Sequence, residues 1–350
     1  MVSGSELQRT ALTSLQSEEK GEKKMQTQIV EIIQKAKAHV EQNGGLHSVY
    51  FVACGGSWAS QCCGYMLVEN QNTMELSTGH VNSNEFVHAM PKTVNGNSIV
   101  IVTSMKATAE SVEALRVAKA AGAFTIAITG GNTTLMAKTA DSFVVYTHSE
   151  NWTCAQHSQA MSVRIGAEIL RQFQGWEKYD QMIAALDSLN ERYAKVLAAY
   201  QRPAIKFALD YKNEPLFHVF SCGTMYGAGY GAAYCHLMEM QQLNAIPVNS
   251  SEYFHGFFES TTPDLPSVIF MNLGSTRALD ERALRFLQQF CDRLVVLDAA
   301  DYGLEDIDEE IVEYVAPLIT SPLFRMYVEK LSVERKHPMS TRRYMWKFDY

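Results

Sequence analysis

Short continuous apolar runs alternate along this chain with longer stretches whose apolar residues recur at helical spacing. Residues 1–45 read as a polar lead-in followed by a helix, with Ile29, Ile32, Ile33 and Ala36 on one face. His47 to Ala53 predicts a strand ending in Cys54-Gly55-Gly56-Ser57, and a helix follows through Glu69. Ile99 to Val102 predicts a second strand, closed by Thr103-Ser104, with a helix over 109–121 behind it. Phe124 to Thr129 and Ser142 to Tyr146 predict a third and a fourth strand, and 155–200 a helical passage. The order then recurs: strand 217–221, helix 228–242, strand 267–271, helix 279–290, strand 293–297. Strands apolar on both faces, each followed by a helix, predict an α/β fold of doubly wound parallel sheets.

The recurrence extends to the residues. Phe51-Val52-Ala53-Cys54-Gly55-Gly56-Ser57 is echoed by Val219-Phe220-Ser221-Cys222-Gly223-Thr224, and Cys54 to Cys222 spans 168 residues. Val81-Asn82-Ser83-Asn84-Glu85-Phe86 is echoed by Val248-Asn249-Ser250-Ser251-Glu252-Tyr253-Phe254, and Val81 to Val248 spans 167. Two independent pairs at one offset indicate an internal duplication. The organisation read from it is a lead-in at 1–45, a first unit with trailing helices at 46–200, a second unit at 201–321, and a tail at 322–350 outside both repeats.

Composition narrows the function. With 350 residues the chain has room for two domains. Apolar content of 47% and charged content of 19% are those of an ordinary globular protein. A net charge of −8 argues against nucleic acid as a partner. Seven cysteines, an odd number without paired CxxC spacing, read as reduced thiols rather than a zinc site. Neither an apolar leader nor an 18-residue apolar run occurs, so the expectation is a cytoplasmic protein without a membrane segment.

Each copy opens with a strand, a small-residue turn and a helix. Cys54-Gly55-Gly56-Ser57 and Cys222-Gly223-Thr224 therefore offer backbone amides and a hydroxyl at a helix N-terminus, a ready anion site. The second strand of copy one adds Ser104-Met105-Lys106-Ala107-Thr108, whose two hydroxyls and ammonium suit a phosphate monoester. Taken alone, such a turn is a helix N-cap. Neither GxGxxG after the first strand nor GxxxxGK[ST] anywhere is present, which argues against dinucleotides and nucleoside triphosphates. Copy two differs in that Asn272-Leu273-Gly274-Ser275-Thr276-Arg277 replaces the hydroxyl-rich loop, and its Glu252-Tyr253-Phe254 is followed by His255, as Glu85-Phe86-Val87 of copy one is followed by His88. Glu239 stands sixteen residues before His255 on the helix 228–242. Read in isolation, Glu239 between Met238 and Met240 is a structural carboxylate, His255 a loop residue, and His236 a packing residue.

These motifs resemble the sugar isomerase (SIS) family, whose members carry two such domains and bind phosphosugars. Its Cys-Gly-Ser/Thr-Ser turn is matched by Cys54-Gly55-Gly56-Ser57. Its Ser-x-Ser-Gly-x-Thr loop is matched by Ser104 to Thr108 with the loop glycine deleted. In the isomerase domain of glucosamine-6-phosphate synthase, a helix Glu is followed sixteen residues later by the His of Gly-Glu-x-x-His-Gly-Pro. Glu239 and Ser251-Glu252-Tyr253-Phe254-His255-Gly256 fit that spacing, with Ser251 for Gly and Phe257 for Pro. Gly227 to Tyr234, Met238 to Gln241, Arg277 to Leu284 and the tail His337 to Lys347 are similar to bacterial deglycases of 6-phosphorylated sugar–amino acid conjugates.

The resemblance implies a deglycase with Glu239 as general base and His255 as ring-opening acid. Gly55, Gly56, Ser57, Ser104, Lys106 and Thr108 would hold the phosphate. It also implies that no metal or cofactor is required, and that a homo-oligomer builds each site from two subunits. The tail residues Arg342, Arg343 and Lys347 read as a lid over the sugar site or as a solvated end. A phosphosugar aldose–ketose isomerase and a non-catalytic phosphosugar sensor are the rival readings. The conjugated amino acid, and whether the sugar half is of fructose or glucose type, are not legible.

Overall fold

Strands without a polar face must be covered on both sides, and the chain meets that demand with two parallel sheets. In this computed structural model, residues 24–146 and 154–349 are described. The first 23 residues of the polar lead-in lie outside them. Helix α1 spans 24–42. The first sheet contains β1 (Ser48–Ala53), β2 (Ser77–Asn82), β3 (Ser98–Ser104), β4 (Phe124–Thr129) and β5 (Ser142–Val145). Its order is β2-β1-β3-β4-β5, parallel throughout. The connecting helices are α2 (Gly55–Gln71), α3 (Ser83–His88), α4 (Ala109–Ala120) and α5 (Leu135–Thr139).

Three helices, α6 (Ser158–Gln174), α7 (Tyr179–Asp187) and α8 (Leu189–Tyr211), lead to the second sheet. Its strands are β6 (Leu216–Ser221), β7 (Asn244–Asn249), β8 (Ser267–Met271) and β9 (Leu294–Asp298), in the parallel order β7-β6-β8-β9. Helix α9 (Tyr226–Gly231) continues into a π-helical stretch, Ala232–Met240. Helices α10 (Arg277–Phe290) and α11 (Val312–Glu334) complete the chain before its tail.

The duplication holds in three dimensions. Ala53 pairs with Asn82 at the ends of β1 and β2, and Ser221 pairs with Asn249 at the ends of β6 and β7. Both asparagines then cap the turn that follows: Asn82 Oδ1 accepts from Asn84 N, and Asn249 Oδ1 accepts from Ser251 N, each at 3.0 Å. The repeated Asn-Ser segment is thus a local backbone cap.

Burial follows the alternation of side chains along each strand. Val49 and Phe51 of β1 face a large core that also takes in Phe217, Val219 and Phe270 of the second sheet, with Leu67, Ile165 and Phe324 from helices. Tyr50 and Val52 face a smaller core with Phe86, Val112 and Leu115. The two repeats therefore share one continuous core. The sequence-derived boundaries at 200 and 321 fall inside α8 and α11. Two strands had no sequence signal, β2 and β7. Both are sheet edges with polar residues, and β7 carries Pro247, which an edge tolerates. All seven cysteines are free. Among the described residues no helix is long and apolar enough to cross a membrane.

Candidate active site

Ligands of open parallel sheets bind beyond the carboxyl ends of the strands, where the strand order reverses. In the first sheet that point lies between β1 and β3, and Ala53 pairs with Thr103 there. The turn Cys54 to Ser57 and the turn Ser104 to Thr108 are consequently neighbours. Gly55 opens the first turn at φ +55°, and Gly223 opens its counterpart at +53°, a left-handed backbone that glycine adopts without steric cost. Ala107 takes φ +55° in the second turn, so an alanine itself occupies a left-handed position there, at a cost of about 1 kcal/mol. Ser104 is buried, and its Oγ accepts from Thr108 N at 3.1 Å. Thr108 Oγ1 donates to Ser111 Oγ at 3.1 Å. Gly56, Lys106 and Thr108 are exposed and Ser57 half-buried, which leaves this end of the sheet open.

The second sheet differs, and here the expectation of a second anion site fails. Thr224 is fully buried, its Oγ1 donates to the Glu313 carbonyl at 2.6 Å, and it accepts from Asn272 Nδ2 at 2.6 Å. A side chain at Gly223 would strike Thr276. Two of the protein's own carboxyls occupy the space. Ser275 Oγ donates to Glu313 Oε2 at 3.3 Å, and Cys222 Sγ reaches Asp280 Oδ1 at 3.2 Å. Burial pushes the Asp280 carboxyl up to about 6 and raises that of Glu313. The turn Cys222-Gly223-Thr224 is closed to a ligand.

Glu239 sits near the end of the π-helical stretch, a rare form that recurs at functional sites. Helix α2 packs closely on α9: a Cβ at Gly227 would lie 2.6 Å from the Ala59 carbonyl. One turn back along α2, a Cβ at Gly56 would lie 3.3 Å from Cys235 Sγ. Burial, with the Glu239 charge adding to it, pushes the Cys235 thiol up to about 12. The first phosphate-type turn and the Glu239 helix are therefore in contact across the two repeats. Sequence reasoning did not single out Cys235 for this junction.

The surroundings of Glu239 are less apolar than its neighbours Met238 and Met240 imply, because the tail folds over it. Arg342 Nη2 lies 2.8 Å from Glu239 Oε1. Gln241 Nε2 donates to the His337 carbonyl at 2.9 Å, and Arg343 Nη2 to Gln242 Oε1 at 2.9 Å. Lys347 Nζ donates to the Arg342 carbonyl at 2.5 Å. Trp346 then reaches the first repeat: Lys106 Nζ stands 3.8 Å from its ring centroid, and the Arg342 guanidinium 5.7 Å. A cavity of about 630 Å³ opens between the tail and the helix, bordered by Glu239, Tyr234 and Leu243 on one side and Arg342, Tyr344 and Phe348 on the other.

His255 is exposed in the loop after β7, and its backbone N–H donates to Glu252 O at 3.0 Å. Among the described residues its imidazole makes no hydrogen bond, and no ion pair links it to Glu239. Within one chain the two are not brought together. His236 is buried, which depresses its imidazole to about 3. An aromatic row that the sequence reading missed runs to the cavity: His80 stacks on Trp58 at 4.2 Å, Trp58 meets Tyr230 at 4.9 Å, and Tyr230 stacks on Tyr234 at 4.4 Å. No group of three or more His, Cys, Asp or Glu among the described residues is placed to hold a metal.

No family model matches the chain. Individual relatives do. The chain is 34% identical to the fructosamine deglycase FrlB of Bacillus subtilis, an alignment covering 86% of this chain and 92% of that protein. The chain belongs to the fructosamine deglycase family. It is 21% identical to the fructoselysine 6-phosphate deglycase of Escherichia coli K12, over 85% of this chain and 84% of the other. A crystal structure from Salmonella typhimurium LT2, described as a phosphosugar isomerase, superposes with a TM-score of 0.87 at 33% identity, covering 93% of this chain and 99% of that one. The C-terminal domain of glucosamine-fructose-6-phosphate aminotransferase from Francisella tularensis shares the fold at 14% identity, with a TM-score of 0.71 over 90% of this chain and 94% of its own. The expected α/β fold of two parallel sheets stands, and the protein is an enzyme.

Proposed function

We propose that the protein cleaves a 6-phosphorylated sugar–amino acid conjugate into a hexose 6-phosphate and a free amino acid. The observation that carries this reading is the junction at Gly56 and Cys235, which sets the open phosphate-type turns of the first repeat beside the helix bearing Glu239. Gly55, Gly56, Ser57, Ser104, Lys106 and Thr108 hold the 6-phosphate and so fix the reacting carbons near the base. Glu239 removes the proton from C1 of the open-chain ketoamine, and a proton is returned at C2. The resulting imine takes up water, its C1–N bond breaks, and the amine leaves. His255 of a second subunit opens the sugar ring, protonating the ring oxygen while the anomeric hydroxyl loses its proton. The working form is accordingly a homo-oligomer, placed in the cytoplasm and needing no cofactor. The tail closes the site with Arg342, Arg343 and Lys347.

The reaction is tested by giving the enzyme a fructosamine 6-phosphate and, separately, fructose 6-phosphate, with amine release read by mass spectrometry. The expected result is free amine from the conjugate. Interconversion of the sugar phosphate with no amine released from any conjugate overturns the reading in favour of an isomerase. Phosphate binding has its own reporter. An anion in the turn Ser104 to Thr108 draws the Lys106 ammonium away from the Trp346 ring, weakening a contact worth about 0.5–1 kcal/mol at an exposed site. Titration with fructose 6-phosphate is expected to give a saturable change in tryptophan emission that Trp346→Phe removes. An identical change in that variant would separate Trp346 from the phosphate site.

A further inference from the structure

The cavity beside Glu239 is larger than proton transfer requires. Its volume of about 630 Å³ is that of a pocket for a whole small-molecule group. Met238, Leu243, Met345 and Phe348 give it apolar walls, while Gln242, Asn244, Arg342 and Arg343 supply its polar edge. Charge is distributed unevenly. The sole carboxylate in the lining is Glu239, which pairs with Arg342, and Arg343 donates to the neutral amide of Gln242. Among the described residues Arg343 has no carboxylate partner within ion-pair distance. The lining therefore carries one positive charge in excess (two guanidiniums against one carboxylate) next to an apolar surface.

We propose that this cavity receives the amine half of the conjugate, and that it selects an amino acid with its carboxylate close to the reacting nitrogen and an apolar or aromatic side chain. This rests on the deglycase reading above. The reacting C1–N bond lies at Glu239, so whatever the nitrogen carries extends into the space next to it. A carboxylate one carbon from that nitrogen meets Arg343 at the edge, and the side chain beyond it meets Met238, Leu243 and Phe348. A lysine joined through its side-chain nitrogen would instead hold its carboxylate five carbons from the reacting nitrogen, with a free ammonium beside it for which the lining has no spare acid. An aspartate would set a second carboxylate against apolar walls, at the cost of its hydration.

The intact enzyme is given the 6-phosphorylated fructose conjugates of phenylalanine and aspartate, each linked through the α-nitrogen, and of lysine linked through its side-chain nitrogen. The expected kcat/KM for the phenylalanine conjugate exceeds each of the others by about ten-fold or more. A flat or reversed order, with amine still released, overturns the pocket assignment and leaves the reaction standing. Release from none of them brings down the deglycase reading and the assignment with it. A second arm isolates the carboxylate. Arg343→Gln is expected to raise KM for the phenylalanine conjugate about ten-fold more than KM for the conjugate of phenethylamine, which lacks the carboxylate, at nearly unchanged kcat. Equal effects on the two conjugates would remove Arg343 as the carboxylate's partner and overturn that part of the proposal.

Discussion

Glu239→Gln is expected to lower kcat by roughly 10²- to 10⁴-fold, the range spanned by a positioned acid–base group, while binding of the hexose phosphate product changes little. The substitution keeps the side chain's shape and its capacity to accept a hydrogen bond from Arg342, but removes the site that, in the proposed mechanism, carries the proton between C1 and C2. Loss of the ion pair is a small matter for the fold. Glu239 and Arg342 are only partly buried, and exposed pairs contribute about 0–1 kcal/mol. A thermal unfolding midpoint close to that of the parent protein should therefore accompany the kinetic loss. Turnover within a few-fold of the parent value would exclude Glu239 as the base. Arg342 bears on the same step from the other side. Its guanidinium pairs with the Glu239 carboxylate, and in the proposed mechanism an anionic substrate group that draws it away would free that carboxylate for the proton at C1.

The shared architecture of the two repeats was legible because buried parallel strands read as uninterrupted apolar segments, as in Ile99 to Val102 and Val268 to Met271. The edge strand Ser77–Asn82 has no such run, since one side of an edge faces solvent, and it went unread. The turns at Cys54 and Ser104 were also legible as small residues and hydroxyls at strand-to-helix junctions, although each taken alone reads as a helix N-cap. What local sequence does not carry is who fills a site. The closed state of the turn at Cys222 depends on Glu313, 91 residues on (313 − 222), and the charge beside Glu239 depends on Arg342, 103 residues on (342 − 239). Both are products of how α11 and the tail return across the second sheet. The π-helical winding under Glu239 has no residue signature either. Glu239 and His255 themselves stood out only through resemblance to a known spacing, which local chemistry alone would have assigned to structure.

That spacing raises the question of how an exposed imidazole serves a carboxylate it does not touch. If each site takes Glu239 from one subunit and His255 from another, Glu239→Gln and His255→Asn should each be inactive alone and active in mixture. In a two-fold dimer, the mixed species carries one site with both substitutions and one with neither. Random exchange of subunits makes half of the dimers mixed, so the mixture should regain about a quarter of parental activity. The measurement is amine release after the two variants are unfolded together and refolded, against each refolded by itself. A site built within one chain predicts a different number: every site in the mixture would carry one substitution, and activity would stay at the background of the single variants. The exposure of His255 acquires a reason under the first outcome alone. The loop after β7 then serves a neighbouring subunit, while the π-helix of its own chain presents the base.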